Sequence, residues 1–209
     1  MLEELGVPYE LREYKRNPKT MRAPPELRQL HPLGKSPVVS LGEVVLAESG
    51  AIQESLLDRY DPEGKLRPVA GAAERDAYHY WTHYAEGSAM PPNLVWLIFD
   101  NLRKAKVPFF VKPIVKTIAG KVDAAYTKPE MARHSEFVDG HLAKQEFFAG
   151  SSFTAADIQM FYPVDVRALR RGLAGAPGTQ AWLERVKARP AYQKAVERGG
   201  ANALPTMQH

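Results

Sequence analysis

Gly34-Lys35-Ser36-Pro37-Val38-Val39-Ser40-Leu41-Gly42-Glu43-Val44-Val45-Leu46-Ala47-Glu48-Ser49-Gly50-Ala51-Ile52 decides the fold. Pro37–Leu41 and Val44–Ala47 are short β-branched runs, and Gly42-Glu43 between them is a tight-turn signal, so the pair predicts a hairpin. A proline is tolerated at the first residue of a strand because it need not donate to the ladder. The second strand leads directly into Ser49–Arg59, where Ile52, Leu56 and Tyr60 recur at helical spacing.

Outward from this stretch, two regimes meet near residue 61. On the N-terminal side, Tyr9–Tyr14 predicts a strand with Tyr9 and Leu11 on one face. Pro24–Leu30 predicts a short helix whose prolines sit in the tolerated first turn. Asp61–Ala73 holds Pro62, Gly64, Pro68 and Gly71 and reads as a linker. Beyond it strand signals stop. Glu74–Ala89 is helical, with Tyr78, Trp81 and Ala85 on one stripe, and Pro91-Pro92 is expected to interrupt it before Asn93–Lys104. Helices follow at Ile114–Tyr126, Pro129–Phe147 and Thr154–Arg171, the last with Ile158, Phe161, Tyr162 and Leu169 facing inward. Gln180–Ala188 and Ala191–Arg198 close the chain. The fold class is thus α/β plus all-α, with domain 1–60, linker 61–73 and helical domain 74–209.

Composition narrows the chemistry. The 209 residues are 44% hydrophobic and 25% charged, ordinary for a globular protein with a sizeable core. There is no cysteine, which excludes disulfides, thiolate metal sites and cysteine nucleophiles. His79 and His83 lie four apart with no third ligand in view, so no metal site is assigned. No apolar run approaches the roughly 20 residues of a membrane span, and Met1–Glu10 lacks a basic secretory n-region. The net charge is +4. Arg167, Arg170 and Arg171 form the densest basic cluster along the sequence, read as a solvated helix face rather than a nucleic-acid site.

Three segments carry candidate chemistry. His31-Pro32-Leu33-Gly34-Lys35-Ser36-Pro37 joins a turn glycine, a cation and a Ser-Pro bond. If cis, that bond turns the Ser36 backbone outward as an edge able to pair with an extended peptide. The alternative is a plain loop with a solvated lysine. Glu48-Ser49-Gly50 opens a helix straight after a strand. Free N–H groups and the helix dipole there suit a carboxylate, and Glu48 suits an amino group, so the pair can grip an amino-acid head group. The alternative is an ordinary cap satisfied by Ser49. Thr154 and Asp157 have capping-box spacing, with Phe153 and Ile158 placed for a hydrophobic staple, and read as folding residues.

Taken together, Gly34-Lys35-Ser36-Pro37, Glu48-Ser49-Gly50-Ala51-Ile52 and Thr154-Ala155-Ala156-Asp157-Ile158 resemble the cytosolic glutathione transferases over essentially the whole chain. Pro24-Pro25-Glu26-Leu27 and Tyr84-Ala85-Glu86-Gly87-Ser88-Ala89-Met90-Pro91 are most similar to the bacterial and fungal yeast-type branch. The resemblance implies a thioredoxin-like domain followed by a helical bundle. It implies that Lys35 pairs with the glycine carboxylate of glutathione. The Ser36 backbone before a cis Pro37 would bond the cysteinyl unit, and Glu48 and Ser49 would hold the γ-glutamyl end. Tyr84, Glu86 and Ser88 would lie at the acceptor pocket or the dimer cleft. The implied reaction is addition of the glutathione thiol to an electrophilic small molecule in detoxification. Glutathione is then a co-substrate with no resident cofactor, and the protein a cytoplasmic homodimer.

The sequence departs from the family at its start. Such transferases begin with a strand, a turn bearing Ser, Tyr or Cys, and a long helix. Here Met1–Tyr9 resembles the end of that helix and the start of the second strand. The first domain is therefore expected to lack its first strand. No catalytic residue is assigned, because the expected Ser, Tyr or Cys would lie upstream of Met1, which reads as an internal methionine taken as a start. Weak conjugation is expected, and the alternative is a non-catalytic glutathione-binding or protein-interaction module on the same fold.

Overall fold

The structure, a computed structural model, describes residues 1–17, 20 and 22–200, with the side chain of Arg171 also outside the description. A short helix α1 (Leu2–Leu5) precedes α2 (Pro25–Leu30). Strands β1 (Val38–Leu41) and β2 (Val44–Ala47) pair antiparallel with Val38 opposite Ala47 and Leu41 opposite Val44. Gly42 makes the turn at φ 63, which glycine adopts without steric cost. Helix α3 (Ser49–Tyr60) follows, burying Ile52 and Leu56 as their spacing predicts, while Tyr60 stays exposed. The result is a thioredoxin-like domain with a small two-stranded sheet, followed by an all-helical domain.

The expected strand at Tyr9–Tyr14 does not form: residues 7–17 have no regular structure. A strand exists only when a neighbour pairs with it, and among the described residues β1 and β2 pair only with each other. Side chains hold the start of this segment instead. Tyr9 donates to Glu3 Oε1 at 2.8 Å, and Arg198 donates to the Tyr9 carbonyl at 3.0 Å while its guanidinium sits 4.0 Å from the Tyr9 ring centre.

Two long helices dominate the second domain, each carrying a π-helical turn. The first runs as α4 (Glu74–Tyr84), a π turn at Ala85–Ala89 and α5 (Met90–Lys104). The second runs as α6 (Lys112–Val122), a π turn at Asp123–Thr127 and α7 (Lys128–Leu142). The expected break at Pro91-Pro92 is absent. Both prolines fall in the turn after the π bulge, where the wider backbone tolerates missing N–H donors. Pro113 sits in the first turn of α6, where a proline is tolerated. Arg103 clamps the pair by donating to the Asp123 carboxylate and to the Ala119 carbonyl at 3.0 Å. Tyr78, Trp81 and Ala85 form a buried stripe, as their spacing predicts.

Helix α7 ends at Leu142, short of Phe147. Phe147 and Gly150 instead exchange backbone hydrogen bonds in a tight turn that sends Phe148 into the core. Gly178, in α9 (Pro177–Ala188), packs directly on the α7 terminus, where a Cβ would stand 2.8 Å from the Ala143 nitrogen. Helix α10 (Pro190–Gly199) then returns toward α1, where Arg189 grips Glu4 with bonds of 2.6 and 2.8 Å.

The core is organised by α8 (Ala155–Arg171), which the capping box of Thr154 and Asp157 opens. The fully buried Asp157 carboxylate accepts from four donors. Phe148 N–H and the Trp182 indole reach Oδ1 at 3.0 and 2.9 Å, and Thr154 N–H and Oγ1 reach Oδ2 at 2.9 and 3.1 Å. Burial pushes its pKa up against the pull of these donors. The expected inward set on α8 needs correcting: Ile158 and Phe161 are half-buried, and Tyr162 and Leu169 are exposed. The most enclosed positions are Ala155, Ala156 and Met160, because α8 is covered on more than one side and its buried face is wider than a single stripe. Replacing Asp157 with Ala leaves the Phe148 N–H and the Trp182 indole buried without acceptors and removes the cap. A loss of about 3 kcal/mol or more is expected, read as a lower urea midpoint.

Candidate functional site

The hairpin and the start of α3 build one wall of a cleft whose other wall is α8 and the π turn after α4. The cleft has a volume of about 790 Å³. Lys35, Ser36, Pro37, Glu48 and Ser49 all line it. The Ser36–Pro37 peptide bond is cis. Gly34 turns the chain before Lys35 at φ 55, and its absent side chain leaves room for Arg28, whose Cγ would lie 2.7 Å from a Cβ there. A neighbouring hollow of about 920 Å³ shares Arg16, Lys35 and Ser36 with the cleft and adds Arg12, Arg22 and Arg28. The Lys35 end of the cleft is therefore electropositive and suited to a carboxylate.

The opposite end is built for an amino-acid head group. Glu48 precedes α3 with φ 71 and ψ 121, a left-handed conformation costing a non-glycine residue about 1–3 kcal/mol. No side chain caps this helix start, which opens toward the cleft. Ser49 Oγ accepts from Gln159 Nε2 at 2.7 Å, so its own proton is left to donate elsewhere. The buried Oε1 of Gln53, a further cleft residue, has no hydrogen-bond partner among the described residues. Across the gap, Glu86 has a raised pKa, first because the cleft walls strip water from its carboxyl and second because Glu48 lies near. Two carboxylates that repel each other and an unpaired acceptor in the same cleft favour a cationic N–H group there.

The structure separates the three residues assigned to the acceptor pocket or dimer cleft. Glu86 lines the cleft. Tyr84 is buried with its hydroxyl against His134 Nδ1, and burial raises its pKa to about 12. Ser88 is half-buried in the π turn and is not among the cleft residues. Sequence reasoning missed Gln53, Glu86's coupling to Glu48, and Gln159. The signal available for Gln159 was a polar residue on an otherwise apolar turn, five positions after the Thr154 cap. His79 is occupied by Arg75 Nε at 3.0 Å, and among the described residues no group of acids and histidines is placed to hold a metal.

Comparison with known proteins finds relatives along nearly the whole chain. Residues 1–58 match the family model of the glutathione S-transferase N-terminal domain, and residues 99–190 that of the C-terminal domain. Glutathione S-transferase 3 of Schizosaccharomyces pombe is 38% identical over 208 residues, covering 98% of this chain and 83% of the relative. A glutathione S-transferase crystal structure from Actinobacillus pleuropneumoniae superposes with a TM-score of 0.77 at 31% identity, covering 94% of this chain and 84% of that one. A sphingomonad glutathione S-transferase solved with glutathione shares the fold, with a TM-score of 0.70 at 20% identity, over 96% of this chain and 92% of its own. The chain belongs to the glutathione S-transferase family. No helix among the described residues is long and apolar enough to cross a membrane.

The Glu48–Glu86 pair gives a pH test. A carboxyl with a raised folded-state pKa binds its proton more tightly when folded, so stability falls as pH rises through its titration. Glu86→Gln is therefore expected to raise the melting temperature at neutral pH and to have no effect near about pH 4, as read by calorimetry at both values. Separately, Gln159→Leu should lower affinity for a cleft ligand while costing only about 1 kcal/mol of stability, measured by titration calorimetry beside urea unfolding.

Proposed function

We propose that the cleft holds glutathione as co-substrate and that the reaction of this site is addition of its thiol to an electrophilic small molecule. The observation that carries the proposal is the polarity of the cleft: a cation beside an exposed backbone edge at one end, and paired carboxylates, a free helix start and an orphaned acceptor at the other. Glutathione has matching ends. Its glycine carboxylate would meet Lys35. Its cysteinyl backbone would pair with Ser36 ahead of the cis Pro37, as an added strand. Its α-ammonium would sit at Glu48, relieving the charge on Glu86, while its α-carboxylate takes the Ser49 hydroxyl and the α3 N–H groups.

Thiolate formation is where these 209 residues offer least. Tyr9 reaches the cleft, but its proton is donated to Glu3, and burial together with that carboxylate raises its pKa. Tyr9 is therefore not free to stabilise a thiolate. We accordingly propose that this chain binds glutathione and conjugates it weakly, and the same observation keeps a non-catalytic glutathione-binding module as the second reading. A cytoplasmic homodimer is the assembly proposed with this function. Tyr80 and Phe137, both exposed with ring centres 6.3 Å apart, supply an aromatic patch for that contact.

Two measurements test the proposal. Lys35→Ala should weaken glutathione binding roughly tenfold, the loss of one charge-assisted contact, and unchanged affinity would contradict the assigned orientation. With a chloronitrobenzene acceptor, the chain should be retained on glutathione resin yet turn over far below the roughly 10 s⁻¹ typical of enzymes. Full turnover would refute the impaired-thiol reading, and failure to bind the resin would refute both readings.

A further inference from the structure

One stretch of this chain carries basic residues without any acid among them. Residues 103–122 contain Arg103, Lys104, Lys106, Lys112, Lys116 and Lys121 and no acid. The whole chain has 28 basic and 24 acidic residues, so this segment carries +6 while the remainder is net −2. The segment spans the turn between α5 and α6, at the far end of the helical hairpin. Arg103 and Lys104 are paired to Asp123 and Asp100. Lys106, Lys112, Lys116 and Lys121 are exposed, and none of them forms an ion pair among the described residues. By contrast, the basic cluster on α8 is partly consumed in packing: Arg170 sits 4.8 Å from the Trp96 ring centre, and Arg167 donates to Ser135.

Apolar side chains crown the same tip. Phe109 and Phe110 are 84% and 65% exposed, and their rings meet edge to face with centres 5.6 Å apart. Ile114 and Ile118, one turn apart on α6, are also more than 45% exposed. Exposing a contiguous aromatic and aliphatic group of this kind is costly in water. A partner for these side chains would also meet the lysines exposed on the same turn and helix.

We propose that the α5–α6 tip docks on an anionic lipid surface, with Phe109 and Phe110 entering the interface and the surrounding lysines meeting lipid phosphates. The chemistry matches an interfacial anchor: apolar groups that enter the headgroup boundary and a polybasic rim drawn to negative surface potential. A second copy fits poorly, because a two-fold contact would bring Lys106, Lys112, Lys116 and Lys121 of each copy together. A nucleic acid fits poorly because aliphatic Ile114, Ile118, Val107 and Pro108 share the surface with the two rings. The tip is separate from the cleft, and the proposal does not depend on glutathione binding.

The test is flotation of the full chain with vesicles of roughly three parts phosphatidylcholine to one part phosphatidylserine, beside vesicles of phosphatidylcholine alone. The expected result is binding to the anionic vesicles only, released by high salt. Phe109→Ser/Phe110→Ser and, separately, Lys106→Glu/Lys112→Glu should each cut the bound fraction at least tenfold. Both should keep the wild-type circular dichroism and retention on glutathione resin, since all four side chains are exposed. Absence of wild-type binding, or equal binding by either variant, overturns the proposal. So does loss of the native oligomer in the phenylalanine variant, which would make the tip a contact between copies.

Discussion

One buried carboxylate holds this molecule together. Asp157 joins the start of α8, the turn after α7 and the indole of Trp182 on α9, three segments that share no local sequence logic. Every donor aimed at it is enclosed, so the interactions stand or fall together. The site depends on it in turn. Gln159 lies two positions further along α8 and reaches across to Ser49, so the cleft is aligned by a helix whose first turn Asp157 sets. The same anchored helix presents Ile158 and Tyr162 to the cleft.

Much of this was legible in the sequence because it is local. The β1–β2 hairpin followed by α3 rests on a turn glycine and a change of hydrophobic period within a few residues, and the capping box on two residues three apart. The features that escaped are non-local. Tyr9–Tyr14 has strand character but no strand beside it, and Glu3 and Arg198 hold it instead. The π turns at Ala85–Ala89 and Asp123–Thr127 leave no sequence signature, being fixed by how the two long helices pack. Prolines that look like breaks at Pro91-Pro92 are absorbed by the first of these turns. Gln159 meets a partner 110 residues away in sequence. Tyr84, assigned by resemblance to the acceptor pocket or the dimer cleft, is buried with its hydroxyl against His134, 50 residues further on.

Charge explains how the parts divide their tasks. The cleft carries opposite signs at its two ends, the pattern that orients a zwitterionic peptide. The strained Glu48 backbone keeps its carboxylate at the mouth of α3, at a conformational cost that folding alone would not retain. Far from it, the cationic tip between α5 and α6 concentrates the excess positive charge of the chain around two exposed rings. The first arrangement is the one proposed to take a small ligand and the second the one proposed to meet a surface, and they share no residue.

The most direct measurement of the central claim compares glutathione with cysteinylglycine, which lacks the γ-glutamyl end, by titration calorimetry on the same protein. If Glu48, Ser49 and the start of α3 grip that end, the truncated ligand should bind at least tenfold more weakly, the loss of about 1.4 kcal/mol or more. The difference should also shrink in Glu48→Gln. Equal affinity for the two ligands would contradict the account, because it would leave the acidic half of the cleft without a role in binding.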